Sequence, residues 1–189
     1  AITQTNVGRL LSLVGMYRKA QPYLEAALAS NIEMANQRGE AITRAFLGAN
    51  LIALGNVKSA LFHLNASSTL FRAMQLGAFL PFPLTNTGEA YLRIKDYAKA
   101  EAALQEAAAM RRNVEDEVLL KDTLAHLVHL YIAWRKPEAL KHTVQELATT
   151  LESTSDKGAD HLIADYAALA DGYRVLGEIS AANATAARA

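Results

Sequence analysis

The chain has 189 residues, 37 of them Ala and 27 Leu, with eight Val, eight Ile and no Cys. Ala and Leu are strong helix formers, so this composition favours an all-α fold, and the missing Cys excludes disulfide scaffolds, thiol nucleophiles and Cys-ligated metals. The 19 basic and 19 acidic side chains cancel, which excludes a general attraction for nucleic acid or an anionic membrane surface. No apolar run is long enough to span a bilayer and no secretory leader is read, so a cytoplasmic location is expected.

Apolar spacing predicts ten helices in five pairs: 2–14 with 18–37, 40–54 with 57–76, 82–94 with 97–111, 115–134 with 137–154, and 159–176 with 178–188. Gly15, Gly55 and Gly177 suit the left-handed end of a first helix. Pro22 stands early in the second helix, where its ring would strike the carbonyl four residues back; a bend, or a start nearer Gln21, is expected. Gly39 and Gly77 are read as the ends of the second and fourth helices. LPFPL at 80–84 breaks the chain, and Pro83 fits a first helical turn. Glu115-Asp116-Glu117 opens the seventh helix, where carboxylates favour the macrodipole.

The chain repeats itself. GMYRKAQPYLEAAL (15–28), GNVKSALFHLNASS (55–68) and KDYAKAEAALQEAA (95–108) share a turn-like start, then an apolar residue, Ala, and Leu. The anchors Ala20, Ala60 and Ala100 are 40 residues apart, and weaker copies follow at Ala139 and Ala182. Gly8, Gly48 and Gly88 stand twelve residues before the first three anchors. Gly inside a helix costs about 1 kcal/mol against Ala, so a partner helix is expected to approach closely there, with the anchor Ala as the opposing small residue. In this phase His126 shares the packed position of Val7, Leu47 and Leu169. Asp122, His126 and His129 could place three ligands on one helix face, but the packed reading is preferred and no metal is expected.

This pattern resembles the tetratricopeptide repeat (TPR), carried best by Leu47-Gly48, Leu51, Gly55, Ala60 and Leu64. The Pro that closes many such repeats is replaced by Ile32, Arg72, Arg112 and Leu151, and the second helices run on. In this the chain is similar to the 40-residue variety of kinesin light chains and of the sensor region of MalT-type bacterial activators. The resemblance implies a right-handed all-α solenoid, one domain over 1–189 with repeats at about 1–39, 40–79, 80–113, 114–157 and 158–189, and a concave groove lined by the first helices. Residue 1 is Ala, so a fragment of a longer protein is expected.

No GxxxxGK[ST], GxGxxG, HExxH or GxSxG occurs, so neither an enzyme nor a cofactor is expected. Carried over from the family, the groove residues are Thr5, Arg9 and Ser12; Ala49 and Ile52; Phe82, Glu89, Leu92 and Arg93; Val128 and Tyr131, with Lys121 and Leu124 in the same copy; and Asp171 and Arg174. The Lys/Asn/Arg clamp of chaperone-binding members is missing, because its places hold Thr5, Arg9, Ala49, Thr85 and Glu89. A small, apolar middle flanked by Arg9, Glu89 and Arg93 suits an apolar or helical segment with a few charges, or a small ligand in a preformed hollow. The expected function is a non-catalytic protein- or peptide-binding scaffold. The alternative is a ligand-sensing module of a larger regulator of the MalT type, and an enzyme with an unrecognised site is the third reading.

Residues 1–100 carry ten basic and five acidic side chains, and residues 101–189 nine basic and fourteen acidic. Val7, Leu10 and Val14 lie where a preceding repeat would stack, and 178–188 is rich in small apolar residues with few charges. Neither end looks like a cap, so either flanking repeats or self-association through the solenoid ends is expected.

Overall fold

The structure is a computed structural model and describes residues 1–154 and 162–188. All its regular elements are helical. They are α1 (Ile2–Leu13), α2 (Tyr17–Glu33), α3 (Gln37–Ala53), α4 (Val57–Ala73), a 3-10 turn at Gly77–Phe79, α5 (Pro81–Arg93), α6 (Tyr97–Asn113), α7 (Glu117–Trp134), α8 (Pro137–Thr154), α9 (Leu162–Val175) and α10 (Ile179–Ala186). They form two compact units, Ala1–Asp96 and Tyr97–Ala189. In the first, each helix packs on the next, and α3 lies beside both α1 and α5. In the second, α6 packs on α7, α7 on α8, α8 on α9 and α9 on α10, and α7 also lies beside α9.

Every helix–helix turn with a left-handed residue has the same hydrogen bonding. The backbone takes a positive φ at Gly15, Ala35, Gly55, Gln75, Lys95, Glu115 and Arg135, a strict 20-residue spacing, and again at Gly177. At each of these positions the following N–H donates to the carbonyl five residues back over 2.8–3.0 Å, as Met16 does to Leu11 and Leu76 to Phe71. The left-handed residue itself donates to the carbonyl three back. This pair of bonds closes the otherwise open carbonyls at a helix C-terminus. It ends α2 at Glu33 and α4 at Ala73, earlier than Gly39 and Gly77 led us to expect.

Gly39 instead lies in the first turn of α3, where an added Cβ would strike the buried Asn31 side chain. Asn36 caps that helix by accepting from the Gly39 N–H at 3.0 Å, and Asp116 caps α7 by accepting from Leu119 at 3.2 Å. Pro22 does not delay α2, which starts at Tyr17 and runs through it. Pro22 and Arg18, whose carbonyl loses its helical donor to the proline, are both exposed, while Ala20, Leu24, Ala27 and Leu28 are buried on the opposite face. Pro81 opens α5, with Pro83 in its first turn. The start at 159 expected for the ninth helix lies outside the described residues.

Gly8 and Gly48 behave as the spacing predicts. A Cβ on Gly48 would lie 2.5 Å from Leu64 Cγ and 3.3 Å from the Ala60 carbonyl, and one on Gly8 would lie 2.6 Å from Leu24 Cγ and 3.4 Å from the Ala20 carbonyl. The anchor Ala thus opposes the glycine through its backbone, and the Leu four residues later fills the space. Ala20, Leu24, Leu47, Leu51, Ala60 and Leu64 form one buried cluster with Ala90.

Candidate partner-binding face

The left-handed residues give a structural frame for comparing the first helices. Six residues before each stand Arg9, Ala49 and Glu89 in the first unit, and three before stand Ser12, Ile52 and Leu92. Ten before stand Thr5, Ala45 and Thr85, all buried. The Thr5 hydroxyl lies 3.0 Å from that of Thr43 and donates to the Ala1 carbonyl at 3.2 Å, and Thr85 donates to the Pro81 carbonyl at 2.9 Å. Thr5 therefore joins α1 to α3 instead of lining an open surface. Ile52 is 1% exposed and is likewise part of the core. The Ser12 hydroxyl is half-buried, 3.0 Å from the Gly8 carbonyl and 2.9 Å from Asn50 Oδ1, while Asn50 donates to the Tyr17 carbonyl at 3.1 Å.

What remains open on α1, α3 and α5 is a short list of chemistry. Arg9, Ala49, Glu89 and Leu92 are half-buried, and Ala53, Phe82 and Arg93 are exposed. Arg93 donates to Glu89 Oε1 from Nε at 3.0 Å and from Nη2 at 2.8 Å. Phe82 meets Phe46 with ring centroids 5.2 Å apart. Phe46 escaped the sequence reading because it sits outside the rows carried over from the family.

In the second unit the sequence phase is off by one. Arg135 lies 40 residues after Lys95, so the counterpart of Ala20, Ala60 and Ala100 is Leu140, not Ala139. Burial agrees, because Leu140 is 1% exposed and Ala139 is half-buried. The slip turns the predicted residues into the core: Val128 is fully buried, Tyr131 is buried, and Lys121 and Leu124 are buried with them. The Tyr131 hydroxyl receives a hydrogen bond from Gln105 at 2.9 Å, and burial pushes its pKa up. The positions that match Arg9 and Ser12 are His129, exposed, and Ile132, half-buried. Asp171 and Arg174 are exposed and form an ion pair on α9.

The same slip moves His126 off the packed row, which belongs to Leu127 at 1% exposure. His126 Nδ1 lies 2.8 Å from the Asp122 carbonyl and 3.8 Å from its carboxylate, and among the described residues no group of His, Asp and Glu could hold a metal ion. Two hollows lie away from the open face, at turns. One, of about 380 Å³, is lined by Gly15 to Lys19 and Leu54; the other, of about 170 Å³, by Arg112, Glu115 to Glu117 and Leu120.

No family model and no curated protein matches the chain. Solved structures do. BtubC (BKLC) from P. vanneervenii superposes with a TM-score of 0.81 at 15% identity, over 99% of this chain and 77% of that one. A kinesin light chain-like protein from Podosopora anserina with nearly identical TPR-like repeats gives a TM-score of 0.73 at 16% identity, over 98% and 91%. The apo form of RapI gives 0.70 at 15% identity, over 98% and 65%. The chain has the fold of a TPR-like repeat protein. It is an all-α solenoid built from TPR-like helix pairs. Among the described residues no helix of this TPR-like chain is long and apolar enough to cross a membrane.

Proposed function

We propose that the chain is a non-catalytic scaffold in the cytoplasm that binds a protein or peptide along the open faces of its first helices. The observation that carries this reading is the face of α1, α3 and α5. There Arg9, Ala49 and Glu89 hold equivalent positions on the three helices, Ala49 and Ala53 carry only methyl groups, Arg93 pairs with Glu89, and Phe82 meets Phe46. Such a surface takes apolar side chains over the alanines and fixes orientation with charges at the edge. The structural neighbours support a protein-interaction role in general terms. The alternative, a ligand-sensing module of the MalT type, would use a hollow such as the one of about 380 Å³ lined by Gly15 to Lys19 and Leu54.

A displayed peptide library selected against the intact chain tests the proposal. Enriched peptides should bind Ala53→Trp and Arg93→Ala about tenfold more weakly or worse, since truncating or blocking a central contact costs about 1.4 kcal/mol or more. Both residues are exposed, so thermal midpoints should stay close to wild type. Peptides that bind both variants as tightly as the wild type would place the binding surface elsewhere.

A further inference from the structure

The first unit carries nine cationic and five acidic side chains over residues 1–96, and the surplus is gathered on one edge. Each short turn reverses the chain, and α3 lies beside both α1 and α5, so the C-terminal ends of these three helices share that edge. Their turns bring Arg18 and Lys19, then Lys58, then Lys95 to it, all exposed. Among the described residues none of these four forms an ion pair. Asp96 is the one acid in the same turns, and it is half-buried. Three of the other cations are engaged elsewhere. Arg44 pairs with Glu40 at 2.7 Å and Arg93 with Glu89 at 2.8 Å, while Arg38, on the opposite edge, lies over the Phe79 ring, 5.0 Å from its centroid.

Folding gives no reason for cations at these places. Arg18 and Lys19 stand in the first turn of α2, and Lys58 holds the equivalent place on α4, at the positive end of each helix dipole. Neither helix has an acid in that turn or a side-chain cap. On α3, which starts on the opposite edge, Asn36 caps the helix and Glu40 lies in its first turn. The cationic edge also holds the hollow of about 380 Å³ lined by Gly15 to Lys19 and Leu54. Asn50 donates to the Tyr17 carbonyl at 3.1 Å, which ties the start of α2 to the end of α3 and so fixes both walls. Met16 lines the hollow and is 47% exposed. That exposure belongs to the turn itself: Asn56, its equivalent at the end of a helix covered on both sides, is exposed as well.

We propose that this edge is a second docking surface, separate from the first-helix face, for an acidic protein segment whose carboxylates lie along Arg18, Lys19, Lys58 and Lys95 while one apolar side chain enters the hollow between Tyr17 and Leu54. The charges call for an anionic partner. The hollow selects a peptide over a lipid surface, because its apolar residues wall a recess that receives a side chain instead of projecting as a flat patch.

Fluorescence anisotropy of the intact chain tests this with a labelled synthetic peptide of Asp and Glu around one Leu, and with the same peptide carrying Ala for Leu. Co-sedimentation with phosphatidylserine vesicles is run beside it. The Leu peptide should bind, weaken with added salt, and bind about tenfold more tightly than the Ala peptide, as expected for burying a Leu side chain. Arg18→Glu/Lys58→Glu should weaken it about tenfold or more, and Met16→Ser should remove most of the preference for Leu. All three side chains are exposed, and circular dichroism checks that each variant folds. Arg18→Gln/Lys58→Gln repeats the charge test without reversing the sign. A Leu peptide that does not bind at low salt, binds the charge variants as tightly as the wild type, or binds no better than the Ala peptide overturns the proposal. Binding of the vesicles without the peptide also overturns it and makes the edge a membrane contact. Loss of the peptide through Arg93→Ala, with Arg18→Glu/Lys58→Glu unaffected, overturns it in favour of the first-helix face.

Discussion

Gln75 holds a φ of 56° and Ala35 one of 51°, values that side-chain-bearing residues adopt at a cost of about 1 kcal/mol relative to Gly. Lys95, Glu115 and Arg135 do the same. The two backbone bonds that each turn makes to the preceding helix offset that cost. Gln75→Gly is therefore expected to raise stability by about 0.5–1 kcal/mol, and Gly55→Ala to lower it by about 1 kcal/mol. Nothing lies within 4 Å of a Cβ at Gly55, so the second change reads the backbone alone. Urea unfolding measures both; a Gly55→Ala midpoint equal to wild type would show that the turn tolerates a side chain freely.

Pairs of helices depend on how closely they approach. Gly48→Leu places side-chain atoms where Leu64 already stands, and overpacking of this kind costs about 1–3 kcal/mol. Ala29→Leu on the exposed side of α2 is the control and should leave the thermal midpoint nearly unchanged. Equal midpoints for the two variants would contradict the glycine contact. Between α7 and α9 a different device operates. Lys121 Nζ lies 3.8 Å from Asp165 Oδ2, with both side chains 2% exposed. Removing one member strands a buried charge, so Lys121→Met should cost about 3–5 kcal/mol, whereas the double variant Lys121→Met/Asp165→Leu should recover most of it. A double variant as unstable as the single one would show that the pair does not act as a unit.

Over the whole molecule the charges balance in sum but not along the chain. Most ion pairs found here are exposed or half-exposed links such as Arg112–Glu146 at 2.6 Å and Lys136–Glu101 at 3.2 Å. Pairs of this kind contribute little to folding. Added salt should therefore leave the unfolding midpoint nearly unchanged. Calorimetry over a salt series measures this. A midpoint that falls steeply with salt at low concentration would mean that the charges hold the fold itself.

Local chemistry determined much of this protein. Ala and Leu at helical spacing specified the helices, and the 40-residue return of Gly48-like glycines and Ala60-like alanines specified their pairing, because a close helix approach admits only small residues. The left-handed turns at Gly15, Gly55 and Gly177 were legible for the same steric reason. The five at Ala35, Gln75, Lys95, Glu115 and Arg135 were not, since the paired backbone bonds of each turn hold a conformation that those side chains do not prefer. Tertiary structure also decided the register of the fourth copy. There Leu140 replaces the small anchor, and Val128 takes the position that Gly8, Gly48 and Gly88 hold. With both small residues gone, the sequence carried no marker of phase, and a slip of one residue exchanged buried Val128 and Tyr131 for open His129 and Ile132. Only the packed helices fix which of these side chains meets solvent.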